Sequence, residues 1–145
     1  MKRSLVSIAI LILLAQWLAA CTPSHKISND EPPKDYTSFI ADLTAAGAVI
    51  ETAGEVTQPF FSVKGHVITV NDGRVEVFGY RSPLRANAEA ARVSPDGYSI
   101  GTTQVFWIAR SHFYKTGNLI ILYVGDSDAV RNVLESVVGP QFAGR

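Results

Sequence analysis

One cysteine, one methionine and three histidines are all that the 145 residues offer in soft, redox-active or imidazole side chains. With Cys21 alone, no internal disulfide, thiol pair or multi-cysteine zinc site can form. His25, His66 and His112 fall in no His-Glu-x-x-His spacing, and Asp126-Ser127-Asp128 lacks the glycine and closing glutamate of a calcium loop, so no metal is expected. Basic residues are not in excess: 13 Lys and Arg balance 13 Asp and Glu, with no polybasic stripe. That argues against a nucleic-acid partner. There is no internal repeat and no Gly-x-Ser-x-Gly elbow. The glycine-rich Gly97–Thr103 stretch matches no phosphate-binding loop and precedes a strand-like run, so no nucleotide cofactor is expected. After residue 20, no apolar run approaches the length needed to cross a bilayer.

The apolar run at the N-terminus carries an address. Lys2 and Arg3 precede an aliphatic core over Leu5–Ala15, too short to span a bilayer comfortably as a helix, followed by small residues. Residues 1–20 therefore read as a secretory signal peptide. Its last residues with the cysteine, Leu18-Ala19-Ala20-Cys21, resemble the lipobox of bacterial lipoproteins. The resemblance implies cleavage before Cys21 and acylation of its thiol with palmitate-type chains. Two or more chains hold a protein on a membrane stably, whereas one alone is marginal. Thr22 stands where an aspartate would signal inner-membrane retention in Gram-negative lipoproteins. The expectation is a protein anchored through Cys21 on the extracytoplasmic side of the cell membrane or outer membrane. Losing Lys2 and Arg3 takes the 13 basic residues to 11 against 13 acidic ones, a net charge of −2.

Residues 21–35 are dominated by Ser, Asn, Asp, Glu, Lys and Pro, with Ile27 as the only aliphatic. Such a segment cannot bury enough apolar surface to offset its ordering entropy, and it is expected to be a flexible tether. Residues 36–145 suffice for one domain with one core. Tyr36, Phe39, Ile40 and Leu43 recur at helical spacing behind Asp35 or Thr37 as cap, and Gly47 ends that helix. A short strand over Ala48–Val56 stops near Pro59. Two β-rich runs flank Asn71-Asp72-Gly73, a hairpin signal; a loop of Asp72 and Gly73 would set Val70 against Val75 and Ile68 against Val77. Ser82-Pro83 caps and opens a second helix, with Leu84, Ala88 and Ala91 as a thin apolar stripe. Gln104–Ala109 and Asn118–Val124 are apolar on both faces and read as central strands, with Arg110–Gly117 as the loop between them. Val130, Val133, Leu134, Val137 and Val138 mark a last helix, capped by Asp126 or Ser127 and stopped by Gly139-Pro140. The order α-β-β-β-α-β-β-α predicts an α+β domain: three helices and a mostly antiparallel sheet of about five strands, with the helices largely on one face. A ferredoxin-like arrangement is the nearest alternative.

Four phrases, Glu55–Val63, Val93–Gly97, His112-Phe113-Tyr114 and Gly139–Gly144, are similar to stretches in small bacterial lipoproteins of unassigned role. That resemblance implies an envelope address and brings no activity. Aromatic and arginine side chains are the usual anchors of binding surfaces. They cluster at Phe60 and Phe61 and again at Arg110, His112, Phe113 and Tyr114, with His112 and Tyr114 expected to be exposed. The leading expectation is a non-enzymatic binding module for an envelope protein or small ligand. One alternative is a small hydrolase drawing on Ser94, Asp96, Ser99, Ser111 and His112, which supply the types of a nucleophile, base and orienter. Another is an inhibitor or immunity-type lipoprotein.

Overall fold

The computed structural model describes residues 35–145. The expected signal peptide, Cys21 and the expected tether up to residue 34 lie outside the described residues. Helix α1 (Tyr36–Ala45) starts where Asp35 Oδ1 accepts a hydrogen bond from the Ser38 amide at 2.8 Å. Strand β1 (Ile50–Val56) leads through a bent segment to β2 (Gly65–Val70) and β3 (Gly73–Gly79). Helix α2 (Pro83–Ala90) has Ser82 as N-cap and proline in its first turn, as the residues require. A small hairpin of β4 (Ser99–Ile100) and β5 (Thr103–Gln104) precedes β6 (Ser111–Thr116) and β7 (Leu119–Val124). Helix α3 (Asp128–Val138) and a two-residue β8 (Ala143–Gly144) close the chain.

The main sheet has six strands in the order β1-β2-β3-β7-β6-β8, every pair antiparallel. The domain is α+β, with one strand more than expected because β8 pairs with β6. The sequential β1-β2-β3 meander excludes the split βαβ order of a ferredoxin-like sheet. One face carries Ile68, Val70, Val75, Val77, Tyr114, Ile121 and Tyr123, and is covered by Phe39 and Leu43 of α1 and Val130 and Leu134 of α3. The opposite face carries Phe78, Phe113, Ile120 and Leu122, against Ala86 and Ala90 of α2 and the loop residues Phe60, Phe61 and Ile100. Two of the three helices thus share a face. The third, with only small buried side chains, lies close to the other. Each fully buried Phe, Leu, Ile or Val contributes about 1.5–3 kcal/mol, so neither layer is dispensable.

Two expectations about strand pairing are corrected. In the first hairpin the turn residues are Asn71 and Asp72, at φ 48° and 67°, so Val70 pairs with Gly73 and Ile68 with Val75. The pairing moves by two residues, which keeps the same side chains on the same face. Gly73 is needed for packing rather than for the turn, because a Cβ there would lie 2.6 Å from Val130 Cγ2 of α3. The second correction is larger. Ser111–Thr116, expected to be a loop, is the central strand β6. Of Gln104–Ala109, expected to be a strand, only Gln104 belongs to one, in the small β4–β5 hairpin, and within that run no backbone pairing follows Val105 among the described residues. Gly117 and Asn118 form a two-residue loop with Gly117 at φ 52°, and Thr116 pairs with Leu119 across it.

Candidate functional site

The change of strand decides where each candidate residue goes. On β6, side chains alternate between the two buried faces. Phe113 and Tyr114 have no exposed surface and His112 is 2% exposed. Phe60 and Phe61 are buried too. Of the six candidate binding residues only Arg110 is exposed, and it is held in an exposed ion pair with Asp126 at 3.4 Å. That pairing replaces the capping role considered for Asp126. Ser127 is the N-cap of α3, and its amide donates to the Tyr123 hydroxyl at 3.0 Å. The expected exposure of His112 and Tyr114 is overturned. A residue flanked by β7 on one side and β8 on the other cannot present its side chain to a partner once both faces of the sheet are covered.

His112 also lacks the geometry of a general base. Its Nδ1 is 2.6 Å from Gln141 Oε1 and its Nε2 is 3.1 Å from the Gly125 carbonyl. Both nitrogens are engaged, and neither meets a serine or a carboxylate. Ser94 and Asp96 are joined instead in a local turn. Ser94 Oγ donates to Asp96 Oδ1 at 2.7 Å and accepts from the Ser99 amide at 2.9 Å, while the Tyr98 amide donates to Asp96 at 3.1 Å. The Ser94 hydroxyl and the Tyr98 amide hold the Asp96 carboxyl below its usual pKa. These residues close a loop. Among the described residues no cluster of three metal-ligating side chains occurs.

A concave, partly open feature lies elsewhere, on the α2 face of the sheet. Val105 to Ile108 follows β5 as an extended segment whose side chains alternate. Val105 and Trp107 turn inward; Phe106 and Ile108 are 88% and 100% exposed. Trp107 fixes the segment. Its Nε1 donates to the Gly97 carbonyl at 2.8 Å, and its ring packs edge-on against Phe60 and Phe113 at centroid distances of 6.0 and 5.9 Å. The Val105 amide donates to the Tyr98 carbonyl. Among the described residues, no backbone hydrogen bond engages Phe106, Trp107, Ile108 or Ala109. Beside this segment is a groove of about 380 Å³, floored by Phe60, Leu122 and Val124.

One end of the groove is polar. Glu76, 8% exposed, accepts from Gln58 Nε2 at 2.8 Å on one oxygen and from Arg74 at 3.2 Å on the other. A buried carboxylate of this kind is tolerable because both oxygens are bonded and a guanidinium balances its charge. Arg74 remains 59% exposed along its side chain, and its other N–H groups make no hydrogen bond among the described residues. The groove thus offers an apolar floor, a row of unpaired backbone groups and one partly free arginine. Volume and lining fall within the range of ligand-binding clefts. Sequence reasoning missed Gln58, Arg74, Glu76, Phe106, Trp107 and Ile108 as site residues. The apolar run Val105–Ala109 carries a signal, but its composition alone reads as a core strand.

No protein-family model, curated protein or solved structure matches this chain.

Proposed function

We propose that the chain is a lipid-anchored, non-enzymatic interaction module of the cell envelope. Its groove beside Val105–Ile108 takes an extended apolar segment of a partner protein. The observation that carries this reading is the full exposure of Ile108 and near-full exposure of Phe106 on a segment whose backbone is unpaired among the described residues. Isolated exposed hydrophobics need no explanation, but two adjoining an apolar groove do. An extended peptide laid along Phe106–Ala109 would satisfy their N–H and C=O groups, as in recognition by strand addition, and seat an apolar side chain over Phe60 and Leu122. Arg74 then favours a carboxylate or carbonyl at the polar end of that peptide.

The outer edge of β1 is a poorer docking edge. It is broken by a bulge between Thr52 and Gly54 and carries exposed Glu51 and Glu55, devices that block edge pairing. The membrane anchor rests on the Leu18–Cys21 resemblance and places the groove on the extracytoplasmic side. No helix among the described residues is long and apolar enough to cross a membrane. An inhibitor or immunity role would use the same surface.

The test is affinity capture with the full-length protein extracted in mild detergent, comparing wild type with the double variant Phe106→Ser, Ile108→Ser. Burial of two such side chains is worth about 1.5–3 kcal/mol each, so the variant should lose at least about tenfold in affinity with its melting temperature unchanged. Leu84→Ser, at another exposed apolar position (77% exposed), should change nothing. Equal capture by the wild type and the double variant would refute the assignment of the groove.

A further inference from the structure

A second concavity, of about 280 Å³, lies at the far end of β3 from the groove, between α2 and the β1–β2 connection. Its lining is cationic where the groove is apolar. Arg81, just before the Ser82 cap of α2, and Arg85, in the first turn of α2, both line it together with Ser62 of the β1–β2 connection. Both arginines are exposed, and among the described residues neither side chain makes a hydrogen bond or ion pair. The one acid in the lining, Glu89, is already satisfied. It accepts from Ser62 Oγ at 2.5 Å on one oxygen and from Arg92 at 2.5 Å on the other. Its charge is therefore offset by Arg92, and the charges of Arg81 and Arg85 stand uncompensated in the pocket.

Tyr80 supplies an independent observation. It lines the same pocket, is only 5% exposed, and its hydroxyl is buried without a hydrogen-bond partner. A buried hydroxyl left unbonded is destabilising and rare, and calls for an acceptor. Burial, then the nearby Glu89 charge, pushes the Tyr80 pKa upward, so the group stays a donor at all physiological pH values.

We propose that this pocket binds a phosphate-bearing dianion, held by the guanidinium groups of Arg81 and Arg85 with the Tyr80 hydroxyl as an inner donor. Two forked guanidinium groups match the charge and the oxygens of a phosphate monoester, and a phenol adds a neutral donor. The volume exceeds that of phosphate alone, which leaves room for the group that carries it. The same chemistry is presented by a soluble phosphate monoester and by a phospholipid whose headgroup is a phosphomonoester, as in phosphatidic acid. The inference is independent of the partner groove.

The experiment titrates the full-length protein, in neutral detergent micelles, with inorganic phosphate at constant ionic strength against chloride, by calorimetry. The wild type should bind saturably. Arg81→Gln with Arg85→Gln should weaken binding at least tenfold, and Tyr80→Phe several-fold, with the fold of each checked by its melting curve. Micelles doped with phosphatidic acid should compete with phosphate if a lipid headgroup is the natural source, and should leave phosphate binding unchanged if a soluble ester is. Absence of saturable binding to either probe, or equal binding by the double arginine variant, would overturn the proposal. Wild-type affinity in Tyr80→Phe would remove the phenol from the site.

Discussion

Replacing Phe113 by alanine should lower stability by about 3–5 kcal/mol, the cost of emptying a fully buried aromatic site. Phe113 stands on a central strand opposite Leu122 and beside Ala143 of β8, and its ring meets Trp107 and Phe142 at 5.9 and 6.2 Å. The void would open beneath the residue that fixes the Val105–Ile108 segment. Chemical denaturation should therefore show a large fall in midpoint, with loss of the groove as a secondary effect of unfolding. A stability change under about 1 kcal/mol would mean that Phe113 is not packed in the core.

At the next residue the expected sign reverses. Tyr114→Phe should stabilise the domain at neutral pH by about 1 kcal/mol, because the Tyr114 hydroxyl is buried with no partner and its desolvation is uncompensated. The substitution keeps the ring that packs against the α1 and α3 face. It should also change the response to alkali. Burial, followed by the Glu135 charge, pushes the Tyr114 pKa from 10.0 up to about 12. A group whose pKa is raised by folding contributes stability that is fully present below its unfolded value and is lost as pH rises through the folded one. The wild type should therefore lose stability between about pH 10 and 12. Tyr114→Phe should lose less, keeping only what Tyr80, raised by its own burial, contributes. Denaturant midpoints at pH 7, 10 and 12 test both points. A destabilised variant at pH 7 would mean that the hydroxyl is bonded in solution.

Phe113 and Tyr114 illustrate which features the chain declares in its residues. Helix boundaries were readable wherever a local device sets them. The Asp35 side chain satisfies a free amide of α1, Ser82-Pro83 opens α2, and Val130 and Leu134 keep helical spacing along α3. The first hairpin was readable in its faces but not its register. Asn71 and Asp72 both accept positive φ, which left Gly73 free to make room for Val130. The second hairpin was missed because Val105, Phe106, Trp107 and Ile108 have more strand propensity than Ser111 to Thr116, with a histidine and a lysine. Turn geometry prevailed over propensity: Gly117-Asn118 closes a two-residue loop that only Ser111–Thr116 can flank in register with Leu119–Val124. The candidate groove was invisible for the same reason. An apolar run has the same composition whether the fold buries it or leaves it exposed, and only the pairing of its neighbour decides.

The central claim is that the recognition surface is the Val105–Ile108 groove rather than the buried aromatics of β6. It is tested most directly by placing a photo-crosslinking amino acid at position 108 of the full-length protein in intact cells, with position 84 as an exposed apolar control. The account predicts a discrete protein adduct from 108 and none from 84, with mass spectrometry locating the cross-link in an apolar, extended segment of the partner. Adducts to lipid, to a second copy of the chain, or to the same proteins from both positions would contradict it.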